Sequence, residues 1–364
     1  MLATIWLYVG FVLGLLLIVK GGDWFVDAAS WVARVMRIPA FVVGATVVSL
    51  ATTLPEVLVS TLAAAQGKTD LAIGNAVGSV IANTALIMAF SLVFLPVLMK
   101  RKQVWPKIAL LLSAVVLLLI LPRNGGLGVT ASIPLFVIFA LFILENLLAA
   151  RPKATRIGND AANGHVSAPS NAAEGQTPGQ RKAAEGAARD TAAPPPGSEK
   201  DAEKPPRDAK TVALNIAKFV VGALCLFFGS RLLVDHGSEI ARIVGIPERI
   251  IGLTFVAVGT SLPELVTTVT SLIKRQSALG VGNILGANII DLTLILPLSA
   301  VVAGGTLEVS TTSLTVDLPV CLGVCVLMLV PTLFTQKFAR WQGIACLLAY
   351  VGYVAYMFLS ALPA

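Results

Sequence analysis

The chain has 364 residues, 56% of them hydrophobic and 13% charged, with a net charge of +7 and a mean hydropathy of +0.84. A soluble domain carries roughly 25% charge, so this composition excludes a water-soluble globular protein and points to an all-α integral membrane protein. The positive balance does not imply a nucleic-acid partner, because the Lys and Arg residues fall in short clusters between apolar runs, the pattern that orients loops in a bilayer.

A helix rises about 1.5 Å per residue, so crossing a hydrocarbon core of ~30 Å takes about 20 apolar residues. Runs of that kind predict ten spans, near residues 4–22, 39–65, 71–97, 106–122, 128–149, 212–232, 247–273, 278–303, 314–335 and 341–362. The start of the chain is apolar from Leu2 and lacks a basic leader and a small-residue cleavage site, which predicts a first span and not a removed signal peptide. Between the fifth and sixth spans, residues 150–211 hold ten Lys/Arg, eight Asp/Glu and the run Pro194-Pro195-Pro196, with almost no large apolar side chain. Such a segment cannot bury enough surface to offset its conformational entropy, which predicts a disordered linker between halves at 1–149 and 212–364.

The halves repeat one another. Adding 208 to each number from Asp27 to Phe90 pairs Asp27 with Asp235, Arg34 with Arg242, Leu54-Pro55-Glu56 with Leu262-Pro263-Glu264, and Gly74-Asn75 with Gly282-Asn283, without a gap. An offset held this long marks a duplication. Five spans per copy is an odd number, so the second copy enters the membrane from the opposite side and the repeat is inverted. With the N-terminus outside, thirteen Lys/Arg near span ends, Lys107 among them, fall on the cytoplasmic side, against Lys68, Arg123, Arg231, Arg242 and Arg249 outside. The positive-inside rule favours that orientation and makes the linker cytoplasmic.

Glu56 and Glu264 stand inside otherwise apolar spans, where a carboxylate at the helix centre costs about 2.5–3.5 kcal/mol on insertion scales. Each follows a hydroxyl-rich turn, Ala51-Thr52-Thr53-Leu54-Pro55 and Gly259-Thr260-Ser261-Leu262-Pro263. Proline has no N–H and crowds the carbonyl four residues back, so each span is expected to kink or unwind beside its acid. Free carbonyls at membrane depth are tolerated only where they line a cavity or bind something. On a continuous helix, Thr52 and Thr53 would lie on the carboxylate's side of Glu56. Asn75, Ser79 and Asn83 recur at every fourth position of the next span, as do Asn283, Ala287 and Asp291, and Gly74/Gly78 and Gly282/Gly286 form the small-xxx-small pattern of close helix packing. Carboxylates, hydroxyls and carbonyls make a hard-oxygen shell suited to Ca2+ or Na+. Inverted repeats with a broken, acid-bearing helix in each place a cation site near the midplane, the usual design of a secondary transporter. A G-x-x-x-x-G-K-[ST] nucleotide loop is absent from the sequence.

At these residues the chain resembles the cation/calcium antiporter superfamily and, within it, the prokaryotic sodium/calcium exchangers, whose repeats carry G-T-S-L-P-E followed by G-N-x-x-G-S-x-x-x-[ND]. The resemblance covers the ten predicted spans and implies ten helices as two inverted five-helix repeats. By motif position it implies that Glu56, Glu264, Thr52 and Thr260 bind calcium, that Thr53, Ser261, Ser79, Asn83 and Asp291 form sodium-site or polar-lining positions, and that the carbonyls of Ser49 and Ala257 are outer sodium ligands. The chain departs from the pattern at Ala51 for Gly, at Ala287 for Ser, and at Val80 opposite Asn288.

The activity implied is exchange of Na+ for Ca2+ by alternating access, without enzymatic chemistry or a resident cofactor. Exchange of H+ for Ca2+ or another divalent cation is the alternative. A channel or membrane scaffold fits less well, because the polarity is gathered at one depth. Expected partners are the transported cations and lipid, in the plasma (inner) membrane of a prokaryote. Outside the site, Glu145, Asn146 and Asp317 are expected at the membrane interface, Asp23, Asp27, Arg231 and Asp235 at solvated helix ends, and Trp105, Trp341 and Tyr356 in the aromatic belts. Cys225, Cys321, Cys325 and Cys346 lie in apolar runs and are expected to pack. His165 is in the linker.

Overall fold

Two helices of 35 residues, α1 (Leu2–Met36) and α7 (Ala209–Ile243), open the two halves of the chain in the computed structural model, which describes residues 2–122, 125–150, 208–245 and 257–360. At 1.5 Å per residue each is about 50 Å long, well beyond the apolar runs 4–22 and 212–232. Asp23, Asp27, Arg231 and Asp235 therefore lie within continuing helix instead of at its ends. Asp208 caps α7 by accepting the Thr211 N–H at 3.1 Å, and this hydrogen bond holds the Asp208 carboxyl below its ordinary range. The helix begins inside the segment 150–211. Most of that segment, with His165, lies outside the described residues.

The two long helices run antiparallel along a glycine seam. A Cβ built on Gly14 comes within 2.9 Å of the Gly229 carbonyl oxygen, and one on Gly222 within 2.8 Å of the Gly21 carbonyl oxygen. Gly14 and Gly21 are the 208-residue counterparts of Gly222 and Gly229, so each copy presents the same pair of glycines to the other. Phe25 and Phe219 stack with ring centroids 4.6 Å apart at one end of the seam.

The second span is broken, as its proline predicts. It consists of α2 (Ala40–Thr52) and α3 (Leu54–Ala65), bent by 45°. The break falls at Thr53 (φ −83°, ψ 0°), and Pro55 sits in the first turn of the new helix. The second copy repeats this at Ser261 (φ −87°, ψ 8°) between α8 (Ala257–Thr260) and α9 (Leu262–Ile273). Residues 246–256 lie outside the described residues, and so does the first part of the predicted span 247–273.

Next come α4 (Thr69–Phe94) and α10 (Ser277–Val302), the most enclosed of the long helices among the described residues. Each is π-helical at equivalent places, Asn83–Met88 and Asp291–Ile295. Single π turns widen a helix and frequently mark functional positions. Helices α5 (Arg101–Ile120), α6 (Val129–Ala150), α11 (Ser313–Thr335) and α12 (Arg340–Ser360) complete the two bundles. The repeats interlock, since α10 packs on α2, α5 and α6 of the first copy, and α4 packs on α11 and α12 of the second.

Two short ladders join the copies. β1 (Val97–Leu98) pairs with β4 (Lys337–Phe338), and β2 (Gly126–Gly128) with β3 (Thr306–Glu308), both antiparallel. The first ladder joins the loop after α4 to the loop after α11, and the second joins the loop after α5 to the loop after α10. Each pair must share one side of the bilayer, which is the pairing that an inverted five-span repeat requires. Large apolar side chains such as Leu16, Leu144, Phe228 and Leu348 stand exposed on the outer helix faces, where only lipid suits them. Among the described residues eight helices are long and apolar enough to span a bilayer, and the bent α2–α3 pair makes a ninth.

Three interfacial expectations are corrected. Lys107, counted with the cytoplasmic cations at the start of the fourth span, is 1% exposed and forms an ion pair with Glu145 while lying 5.2 Å from the Phe41 ring centroid. Asn146 is buried and donates to the Phe142 carbonyl at 2.9 Å. Asp317 is also buried, accepting from Ser313 Oγ at 3.1 Å and from Tyr353 Oη at 2.9 Å. For Lys107 and Asp317 a neighbouring helix supplies the polar partner that solvent would otherwise provide, whereas Asn146 bonds back to its own helix. Trp105, Trp341 and Tyr356 are exposed, as belts require, and Cys321, Cys325 and Cys346 are buried in the core.

Candidate functional site

Glu56 and Glu264 each open a helix directly after the chain breaks, so both carboxylates sit in first turns, where free N–H groups and the helix dipole favour negative charge. Both are 1% exposed. The turn hydroxyls do not serve the acid of their own copy, as a continuous helix would have them do. Thr53 Oγ1 donates to Glu264 Oε1 at 3.3 Å, and Ser261 Oγ donates to Glu56 Oε1 at 3.4 Å. The break at Thr53 and Ser261 turns each hydroxyl off its own helix face and toward the opposite repeat.

The threonines one position earlier follow the same rule. Thr52 Oγ1 donates to Asn283 Oδ1 at 3.1 Å, and Thr260 Oγ1 to Asn75 Oδ1 at 3.4 Å. Asn75 in turn donates to Ser60 Oγ at 2.9 Å and to the Glu56 carbonyl at 3.4 Å. The polar-striped helices thus meet the broken ones through Asn75 and Asn283. These asparagines were legible as stripe members but not as partners of the threonines. Ser79 accepts from Ser261 at 3.4 Å, a contact that Ala287 cannot reproduce in the second copy. Asn288 donates to Thr84 Oγ1 at 2.8 Å, where the first copy has Val80.

Ser49 is buried, and its carbonyl accepts both the Thr53 N–H at 2.9 Å and Thr52 Oγ1 at 3.4 Å. Because Thr52 Oγ1 has its shorter bond to Asn283, the Thr53 N–H is the firm partner of that carbonyl. The Ala51 carbonyl is the one facing Pro55, which offers no N–H. Ala257 opens α8. The glycine stripe is close-packed in the second copy, where a Cβ on Gly282 would collide with the Phe41 carbonyl oxygen and one on Gly286 would come within 2.6 Å of the Ala45 carbonyl oxygen. No described residue lies within 4 Å of a Cβ on Gly74 or Gly78, whose counterparts of α2 fall largely on residues 246–256, outside the described ones.

The carboxylates are only half satisfied. Glu56 Oε2, Glu264 Oε2 and both carboxylate oxygens of Asp291 are buried without a hydrogen-bond partner among the described residues, as is Asn83 Oδ1. Buried polar atoms are nearly always bonded, and an uncompensated buried charge costs several kcal/mol. Among the described residues no three of His, Cys, Asp and Glu converge as a ready metal cluster. A cation held between the glutamates would therefore complete its shell from hydroxyl, amide and carbonyl oxygens, the donor set of hard ions.

Spans interlocked by inverted repeats, with broken helices that deliver half-satisfied acids to one depth, define the class of secondary membrane transporters. The sodium/calcium exchanger protein family matches residues 6–148 and 214–359, and the chain belongs to that family. It is 30% identical over 347 residues to the sodium/calcium exchanger MaX1 of Methanosarcina acetivorans, covering 95% of this chain and 97% of that one. It is 31% identical over 299 residues to the inner membrane protein YrbG of Escherichia coli, covering 82% and 80%. The sodium-calcium exchanger NCX_Mj, in a structure soaked with Na+ and Ca2+, superposes with a TM-score of 0.73 at 24% identity, over 96% of this chain and 98% of that one, a likeness of fold.

Proposed function

We propose that this protein is a secondary-active antiporter that moves Ca2+ against Na+ by alternating access. The observation that carries the reading is the reciprocal pair of cross-repeat bonds, Thr53 to Glu264 and Ser261 to Glu56, which brings two buried acids together and leaves one oxygen of each without a partner among the described residues. Two carboxylates at close range disfavour joint ionisation, so the empty site is unfavourable and a cation offsets the charge. Glu56 and Glu264, with Thr52 and Thr260, take Ca2+. Thr53, Ser261, Ser79, Asn83, Asp291 and the carbonyls of Ser49 and Ala257 serve the sodium sites that overlap it. Because the two ions draw on the same oxygens, occupancy by one excludes the other, and this exclusion is the origin of antiport.

The N-terminus lies outside and the linker in the cytoplasm of a prokaryotic plasma membrane, and no chemical step or resident cofactor is involved. In proteoliposomes an imposed sodium gradient drives calcium uptake, and both Glu56→Gln and Glu264→Gln abolish it. Calcium flux indifferent to sodium and preserved in both variants would sink this reading.

One observation favours a second reading. Ala287 removes a hydroxyl that Ser79 supplies in the first copy, which weakens the sodium shell and leaves H+/Ca2+ exchange on the same glutamates as the alternative. A pH gradient that drives calcium flux in sodium-free buffer would select it.

A further inference from the structure

Away from the acids, α1, α7 and the turn between α9 and α10 enclose a cleft of about 440 Å3 lined by Asp27, Ser30, Trp31, Arg34, Lys218 and Lys274 among others. Lys274 is held there by Asp27 at 2.9 Å and Asp23 at 3.2 Å. Arg34 and Lys218 carry no ion pair among the described residues. Two donors in the cleft are unused among the described residues, since Ser30 Oγ and Trp31 Nε1 are both buried without a hydrogen-bond partner there, and Ser30 is 5% exposed. A polar cleft with idle buried donors and surplus cations is matched by an anion with several acceptor oxygens.

The duplication provides a built-in control. The counterparts of Asp27, Ser30 and Arg34 are Asp235, Ser238 and Arg242, and Ser238 Oγ is likewise buried without a partner among the described residues. The counterparts of Trp31, Lys218 and Lys274, however, are Glu239, Gly10 and Gln66. In that copy Arg242 is bridged to Glu239 at 2.7 Å, and His236 occupies the space beside Gly10. The same corner of the fold is thus electrostatically balanced in one copy and cationic, with an indole donor, in the other.

We propose that the cleft of α1, α7 and the α9–α10 turn binds a phosphate-bearing anion, with the headgroup of an anionic phospholipid as its source. Basic pockets between membrane helices on the cytoplasmic side suit such headgroups, and the orientation proposed above puts this cleft on that side. Only the choice of leaflet rests on that orientation; the binding itself does not depend on the transport reading.

The test is native mass spectrometry of the purified full-length chain in detergent, with added phosphatidylglycerol or phosphatidylcholine. Phosphatidylglycerol adducts are expected to dominate, to fall about tenfold or more in an Arg34→Gln/Lys218→Gln double variant, and to fall about threefold in Trp31→Phe, which keeps an aromatic ring of smaller size and removes the N–H. Lys68→Gln, on the balanced side, leaves them unchanged. In parallel, thermal unfolding is followed with millimolar inorganic phosphate. A rise in Tm that the double variant loses assigns the cleft to free phosphate as well, and such a rise without lipid adducts names the soluble ion as the source. Equal adducts with both lipids and no phosphate response overturn the proposal, as do phosphatidylglycerol adducts that persist in the double variant.

Discussion

The two repeats share a frame and differ in what they place on it. Glycines meet glycines along α1 and α7, and hydroxyls cross reciprocally to the opposite acid. Beyond these contacts the copies diverge. The helix of Glu264 buries Thr267, Thr268 and Ser271, whereas that of Glu56 has Val59, Ser60 and Ala63 at the same positions. The π turn begins with Asn83 in one copy and Asp291 in the other. Lys107–Glu145 ties α5 to α6 by charge, whereas α12 is tied to α11 by the hydrogen bond from Tyr353 to Asp317. Symmetry governs what assembles the site, and asymmetry governs what each half of the path offers an ion.

The largest expected effect tests the shared part. Glu56→Gln and Glu264→Gln should each lower sodium-driven calcium flux by roughly two orders of magnitude or more, the scale set by several kcal/mol for one buried charge. If one variant retained near-normal flux, the two acids would not be equivalent. The two ties should separate next. Lys107→Met leaves Glu145 without its partner and should destabilise by about 3–5 kcal/mol, while Tyr353→Phe removes one hydrogen bond to a carboxylate, worth about 1.5–3 kcal/mol. Thermal unfolding in detergent should rank them in that order, and the reverse ranking would contradict the charge difference. Gly286→Ala, which drives a methyl toward the Ala45 carbonyl, should cost about 1–3 kcal/mol by overpacking in the same assay. The smallest effect sharpens the contrast most directly. Ala287→Ser restores the hydroxyl that Ser79 has in the first copy, so calorimetry should find that a few-fold less sodium halves calcium binding; unchanged competition would remove Ala287 from the account of coupling.

Much of this was legible because scarce charge in an apolar chain is informative. Glu56, Glu264 and Asp291 stand out on insertion cost alone, and the constant offset of 208 exposes the pairing of the glutamates. The broken helix was readable from Pro55, but the residue at which it breaks was not, because the backbone turns at Thr53, two positions earlier. That displacement decides which acid each hydroxyl meets. By sequence Lys107 counts with the cytoplasmic cations at the start of the fourth span, and its burial depends on Glu145, 38 residues further on. Local pattern carries no trace of such a pairing. The π turns at Asn83 and Asp291 have no recognised sequence signal, and the length of α1 and α7 was hidden by charges that neighbouring elements neutralise, as Lys274 does for Asp23 and Asp27.

The exchange of hydroxyls between repeats also bears on biosynthesis. Glu56 and the Ser261 that donates to its Oε1 are 205 residues apart, and a ribosome working at 5–20 residues per second needs about 10–40 s to cover that distance. Throughout that interval the first five helices hold a membrane-depth carboxylate whose partner has not yet been made. The nascent half must keep Glu56 protonated or in contact with water, and its helices cannot close around the acid until the opposite repeat arrives. Commitment to the native packing is thereby postponed until the second half of the chain has entered the bilayer.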